Sequence, residues 1–149
     1  MGRITIHIHG QAKEKAYSSM LKNYQNRLRK VGVKLNYHDS KKSVGDYFAQ
    51  LDKNTNLYLL DESGTQYNSI EFSKLVQGWS IADRDVELAI GPAQGWQEYS
   101  IGHDNLIALS KLTFPHELAA VVLVEQVYRA TEIIKAVSYT HLTLPTKRI

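Results

Sequence analysis

Histidines, carboxylates, hydroxyls, basic side chains and glycine turns are what this 149-residue chain has for chemistry, since it contains no cysteine. That removes disulfides, thiolate metal sites and cysteine nucleophiles together. Six histidines stand at positions 7, 9, 38, 103, 116 and 141. His7 and His9 are two apart, so a strand turns both imidazoles to one side. With no carboxylate or third histidine evident nearby, they read as a polar strand face, and no metal is expected. Ile90-Gly91-Pro92-Ala93-Gln94-Gly95-Trp96 is more informative. Its glycines allow close backbone approach and positive φ, which suits either a nucleotide-like ligand on exposed amides or a tight turn. Trp96 then covers such a ligand or caps the core. Ser110-Lys111-Leu112-Thr113-Phe114-Pro115-His116-Glu117 poses the same choice. Thr113 and Pro115 suit a helix start, and His116 beside the positive helix end reads as a neutral, structural histidine. No Walker-type phosphate loop, GxGxxG after the first strand or GxSxG elbow occurs.

Alternating strands and helices carry these segments. Arg3 to Ile8 alternates as a strand ahead of Gly10, and an amphipathic helix spans about Lys13 to Val31, stopped by Gly32. Val33, Leu35 and Tyr37 form a second strand, and Ser43 to Leu51 a short helix. A strand at Asn56 to Leu60 runs into a turn marked by Asp61 and Gly64. Ser69 is placed to cap a helix through Trp79, with Glu71 in its first turn. Strands at Val86 to Ile90 and Asn105 to Leu109 follow, then a helix from His116 to Ala136. This order predicts one α/β domain with an open, mostly parallel sheet. Ligands in such sheets bind at loops beyond the strands' carboxyl ends, here Leu60 to Gly64, Gly91 to Gly95, and Ser110 to Pro115.

Composition agrees with a globular chain: 43% of residues are hydrophobic and 22% charged, with no low-complexity run. No apolar stretch approaches the roughly 20 residues of a membrane span, and a cytosolic location is compatible with the absent cysteines. The net charge of +3 is unevenly spread. Residues 1–50 carry ten basic against three acidic side chains, residues 51–100 three against eight. The basic third is either a polyanion-facing surface or a solvated helix face.

Four phrases taken in order are more specific: Leu59-Leu60-Asp61-Glu62-Ser63-Gly64, Ile90 to Gly95, Leu109 to His116, and Glu125-Gln126-Val127-Tyr128-Arg129-Ala130. Together they resemble the RlmH family of SPOUT-type methyltransferases, which modify a pseudouridine in large-subunit ribosomal RNA. The resemblance is specific from Leu57 to Ile134. It implies a sheet whose C-terminal part threads a trefoil knot, with S-adenosylmethionine held in the knot. It implies a cofactor pocket of Leu60, Gly91, Ser110, Lys111, Leu112, Thr113, Phe114 and Pro115. Arg129 and Tyr139 become catalytic candidates, Arg129 for substrate orientation or phosphate binding. An intrahelical salt bridge to Glu125 or Glu132 accounts for Arg129 equally well. The implied reaction is methyl transfer to N3 of a pseudouridine in 23S RNA of the assembled ribosome, by a cytoplasmic homodimer with the last helix in its interface. The wide apolar face of Val121, Val122, Val124 and Val127 suits that role, or a buried core helix.

Three departures accompany the likeness. Pro92 stands where the family has glycine and removes an amide donor. Ala120 stands where an arginine is common. Residues 137–149, including Tyr139 and His141, read unlike the family's ending and resemble translated adaptor or vector sequence. The expected domain is therefore 1–136, followed by a non-native tail. Two other readings remain open: an impaired RNA-binding or dimerisation module of the same fold, and a nucleotide- or flavin-binding α/β domain.

Overall fold

In the computed structural model, residues 2–53 and 56–138 are described. Five strands form one parallel sheet: β1 (Ile4–His9), β2 (Val33–His38), β3 (Leu57–Gln66), β4 (Val86–Ile90) and β5 (Leu106–Ala108). Their order is β2-β1-β4-β3-β5, which is the parallel α/β architecture expected. The helices are α1 (Lys15–Arg29), α2 (Val44–Leu51), α3 (Ser69–Ile81) and α4 (His116–Ser138), with a 3-10 turn at Gln97–Ser100 that periodicity does not reveal.

Strand alternation divides the sheet into two unequal faces. Ile4, Ile6, Ile8, Val86, Leu88 and Ile90 join Leu21 and Leu28 of α1, Phe72 and Val76 of α3, and α4 in the main core. On the opposite face Leu57, Leu59 and Ala89 pack with Tyr47 of α2 and Trp96. Within α4, Ala120, Leu123, Val124, Val127 and Ala130 are all but inaccessible. Three of the four valines offered as an interface, Val121, Val124 and Val127, are therefore buried in the protomer's own core. Ala120, the position where the resemblance implies an arginine, lies there too, fully buried.

Local sequence chemistry sets most boundaries. Gly32, at φ +80°, ends the α1 connection in a conformation that other residues adopt at a cost. The Ser43 side chain accepts from the amide of Asp46 and caps α2. For α3 the cap is Asn68 rather than Ser69: its Oδ1 accepts from the Glu71 amide while Glu71 Oε1 accepts from the Asn68 amide, both at 2.8 Å. This reciprocal pair satisfies two end donors at once, which Ser69 cannot do from inside the helix.

The largest difference from expectation is β3. It does not stop at Asp61 but continues to Gln66. Leu59 and Leu60 pair with Leu106 and Ile107, and Thr65 and Gln66 then pair with Ile107 and Ala108. Residues 61–64 are the excess carried between these registers as a bulge. The bulge needs Gly64, since a Cβ there would lie 2.6 Å from the backbone of Leu106 and Ile107.

Candidate functional site

Two aromatic side chains fix the end of β4 and the point where β3 enters its bulge. Trp96 Nε1 donates to the carbonyl of Leu60 at 3.0 Å, and the Tyr47 hydroxyl donates to the carbonyl of Ile90 at 2.8 Å. Their rings stack at 5.3 Å with planes 5° apart. Both are buried, so these carbonyls of β3 and β4 are satisfied without water. Gly91 is required by this packing: a Cβ there would meet the Trp96 indole at 3.0 to 3.3 Å. Gly95 supplies the positive φ, +80°, and its amide closes a turn onto the carbonyl of Pro92. Of the two roles open to Trp96, its indole takes the core.

Above these points lies a cavity of about 250 Å³ that opens to solvent. Its walls come from the three expected loops: Leu60 to Glu62, Ile90 to Trp96, and Leu109 to His116 with Ala119 of α4. Of the expected pocket residues, Leu60, Gly91, Ser110, Leu112, Thr113 and Phe114 line it, whereas Lys111 and Pro115 do not. Both of these are exposed. Ser110 Oγ accepts from the Leu112 amide at 3.0 Å and shapes that loop. Thr113 does not cap α4. Its hydroxyl instead donates across the cavity mouth to Glu62 Oε2 at 3.0 Å, tying the β5–α4 loop to the β3 bulge. Within the bulge the Asp61 carboxylate accepts from the Ser63 amide and hydroxyl, which turns Glu62 toward that contact.

The lining carries carboxylates (Asp61 and Glu62) but no Lys or Arg. Its one basic group, His116, has its pKa lowered below 6.5, chiefly by burial, with His9 and Lys13 adding to the effect against Glu117. The imidazole is thus neutral near pH 7 and can accept a proton. The two carboxylates give the lining a negative character that suits a cationic or neutral ligand.

Arg129 lies elsewhere. It sits thirteen residues beyond His116 on α4, about 20 Å along the axis, and its Nη2 donates to Glu125 Oε2 at 2.5 Å. This is the intrahelical bridge that its spacing allowed, and it holds the guanidinium charged, with its pKa raised. Tyr139 and His141 fall outside the described residues.

The histidine strand face is corrected in two respects, since both a carboxylate and a third histidine, His38, stand beside it. The carboxylate is brought by the β1–β4 pairing rather than by sequence proximity. His7 Nε2 bonds Glu87 Oε1 at 2.5 Å, and His7 Nδ1 lies 2.8 Å from His38 Nε2. A carboxylate only accepts, so His7 carries its proton on Nε2, and the His38 Nε2–H donates to His7 Nδ1. Among the described residues no group of three or more His, Asp or Glu is arranged to hold a metal ion.

Known proteins place these features in context. The family model described as "Predicted SPOUT methyltransferase" matches residues 2–141. The protein named Ribosomal RNA large subunit methyltransferase H of Mycoplasmopsis synoviae is 36% identical over 115 residues, covering 77% of this chain and 72% of that protein. The namesake of Prochlorococcus marinus is 33% identical over 132 residues, covering 87% and 90%. Among solved structures, TrmJ from Z. mobilis aligns over 99% of this chain and 73% of its own, with a TM-score of 0.47 and 11% identity. That likeness is too loose to bear on substrate or mechanism.

Proposed function

The chain belongs to the SPOUT methyltransferase family, and from that premise we propose that it methylates N3 of a pseudouridine in large-subunit (23S) ribosomal RNA of the assembled ribosome, with S-adenosylmethionine as donor. The supporting observation is the convergence of the three RlmH-like segments on one cavity, at the β3 bulge and beyond the carboxyl ends of β4 and β5. Among the described residues no helix is long and apolar enough to cross a membrane, and a ribosomal substrate makes the cytoplasm the place of action.

The cavity fits such a donor chemically. Leu60, Ile90, Leu109 and Phe114 offer apolar walls for a purine, while Asp61 and Glu62 offer negative charge to a cationic centre. Its volume sits just under the roughly 300 Å³ at which ligand pockets begin, so the Glu62–Thr113 contact must yield for a large ligand to enter. S-adenosylmethionine, when bound, supplies a methyl group already activated by its sulfonium. What remains for the protein is to align donor and acceptor in a dry site and to accept the N3 proton. His116, neutral and lining the cavity, is placed for the second task.

Within one protomer Arg129 does not reach the cavity, so a catalytic role for it requires a second copy of the chain. We place it, with α4, at a homodimer contact, and the family's trefoil knot in the C-terminal half. One observation favours the impaired-module reading: Pro92 puts a residue without an amide hydrogen in the cavity wall. Both readings meet one experiment, transfer of tritiated methyl from S-adenosylmethionine to ribosomes lacking the modification, with calorimetry of the cofactor alongside. Incorporation at a single pseudouridine is expected. Cofactor binding without incorporation would leave the impaired module, and absence of both would overturn the proposal.

A further inference from the structure

Arg27 occupies an unusual position for a surface cation. Its guanidinium carbon lies 5.6 Å from the centre of the Tyr24 ring and 5.4 Å from that of Tyr128, and those two rings are 5.7 Å apart. One aromatic comes from α1 and the other from α4, so the side chain is held where the two helices meet. A guanidinium resting on aromatic faces keeps its N–H edges outward, with less conformational freedom left to lose on binding. Among the described residues it has no carboxylate partner.

The neighbouring acids explain why. On α4, Glu125 is taken by Arg129 and Glu132 by Lys135. Glu117 accepts from the amides of Lys13 and Glu14. Between residues 13 and 34 the chain has seven Lys or Arg and a single acid, Glu14. Lys15, Lys22, Arg29 and Lys30 are exposed on α1 or at its end, and helical spacing puts them on its solvent-facing side, with Arg27 at the flank toward α4. Ser19, Asn23 and Asn26 lie among them, so no carboxylate interrupts the strip.

The strip also has a direction. Contact of Glu117 with Lys13 and Glu14 pins the start of α1 to the start of α4, and Lys13 lies within electrostatic reach of His116 on the cavity wall. From Lys15 to Arg27 the helix runs about 18 Å, long enough to follow several successive phosphates of an RNA strand. We infer that this face of α1 is a phosphate-backbone track for the RNA substrate, with Arg27, clamped by Tyr24 and Tyr128, as its fixed anchor. The inference rests on the rRNA reading above and assigns to Arg27 a phosphate-binding role that Arg129, already neutralised by Glu125, is poorly placed to fill.

The test is equilibrium binding of the full chain to a large-subunit rRNA transcript at several KCl concentrations, with methyl transfer to ribosomes measured in parallel. Arg27→Gln should weaken binding about three- to tenfold and reduce the slope of log affinity against log salt by about 0.7 to 0.9. Arg27→Lys should keep most of that slope while losing part of the affinity, because charge stays and the planar clamp goes. The pair Lys22→Gln and Arg29→Gln, at exposed positions away from the tyrosines, should lower the slope without touching the α1–α4 contact. Affinity for S-adenosylmethionine should be unchanged in all of them. Wild-type binding and slope in both Arg27→Gln and the double variant, with methylation intact, would overturn the track and leave the rRNA reading standing. Failure of the unaltered chain to bind or methylate RNA at all would overturn both.

Discussion

At the scale of single residues, the site depends on groups that do no chemistry. Trp96 and Tyr47 each cap a strand carbonyl, and Trp96→Phe keeps an aromatic ring but drops the donor to Leu60. Leaving a buried carbonyl unpaired should cost about 1–3 kcal/mol in urea denaturation, and cofactor affinity should fall because the Leu60 wall loosens. Tyr47→Phe should cost similarly through Ile90. His116 has a different signature. With its pKa below 6.5 it accepts protons across the neutral range, so single-turnover methyl transfer should rise with pH through that lowered value and be flat above it. His116→Gln should remove this acidic limb and slow transfer by about 10²- to 10³-fold, with little change in cofactor affinity. The sequence made most of these residues visible: the glycines at 91 and 95 marked a wall, and the RlmH-like phrases marked three loops. It did not disclose Glu62 as the partner of Thr113, because 51 positions separate them and only the bulge brings them together.

Elements were legible in proportion to how locally they are determined. The apolar run Val86 to Ile90, ended by Gly91, needs no information from elsewhere, and its bounds were read as they stand. The β3 extension needs β5, some forty residues later, and Asp-Glu-Ser-Gly by itself spells a turn. Gly64→Ala measures what that extension is worth. Its new methyl would press on the backbone of β5, which cannot swing aside like a side chain, so a loss of about 2–4 kcal/mol is expected. Asn68→Ala, which breaks only the capping box of α3, should cost about 1 kcal/mol. Thermal denaturation of the two variants compares them directly, and a Gly64 variant no worse than the Asn68 variant would mean that the bulge is loosely held. The width of the apolar face on α4 left two readings open for a related reason, since a core helix and an interface helix share one periodicity, and within the protomer Val121, Val124 and Val127 go to the core.

Across the whole molecule, charge and titration are set by the sheet's order. Placing β1 between β2 and β4 brings His38, His7 and Glu87 into one row. Burial first, then His7, Lys42 and His9, lower the His38 pKa to about 4, and burial lowers that of His7 against the pull of Glu87. The unfolded chain, with histidines near 6.5, therefore binds more protons than the folded one between about pH 6.5 and 4. Stability should be full above pH 6.5 and decline through that window by about 1–2 kcal/mol, read as a falling Tm. His38→Asn should flatten the decline. None of this followed from the sequence around residues 7, 38 and 87, because strand order alone joins the members of the row.

The chain has two tryptophans, and they report on different places. Trp79 is buried on α3 beside Tyr58, whereas Trp96 belongs to a cavity-lining loop, its indole buried directly beneath it and stacked on Tyr47. In a Trp79→Phe background, emission would come from Trp96 alone. A purine settling against Leu60 and Ile90 should quench or shift that light, giving an optical titration of the site with no label attached.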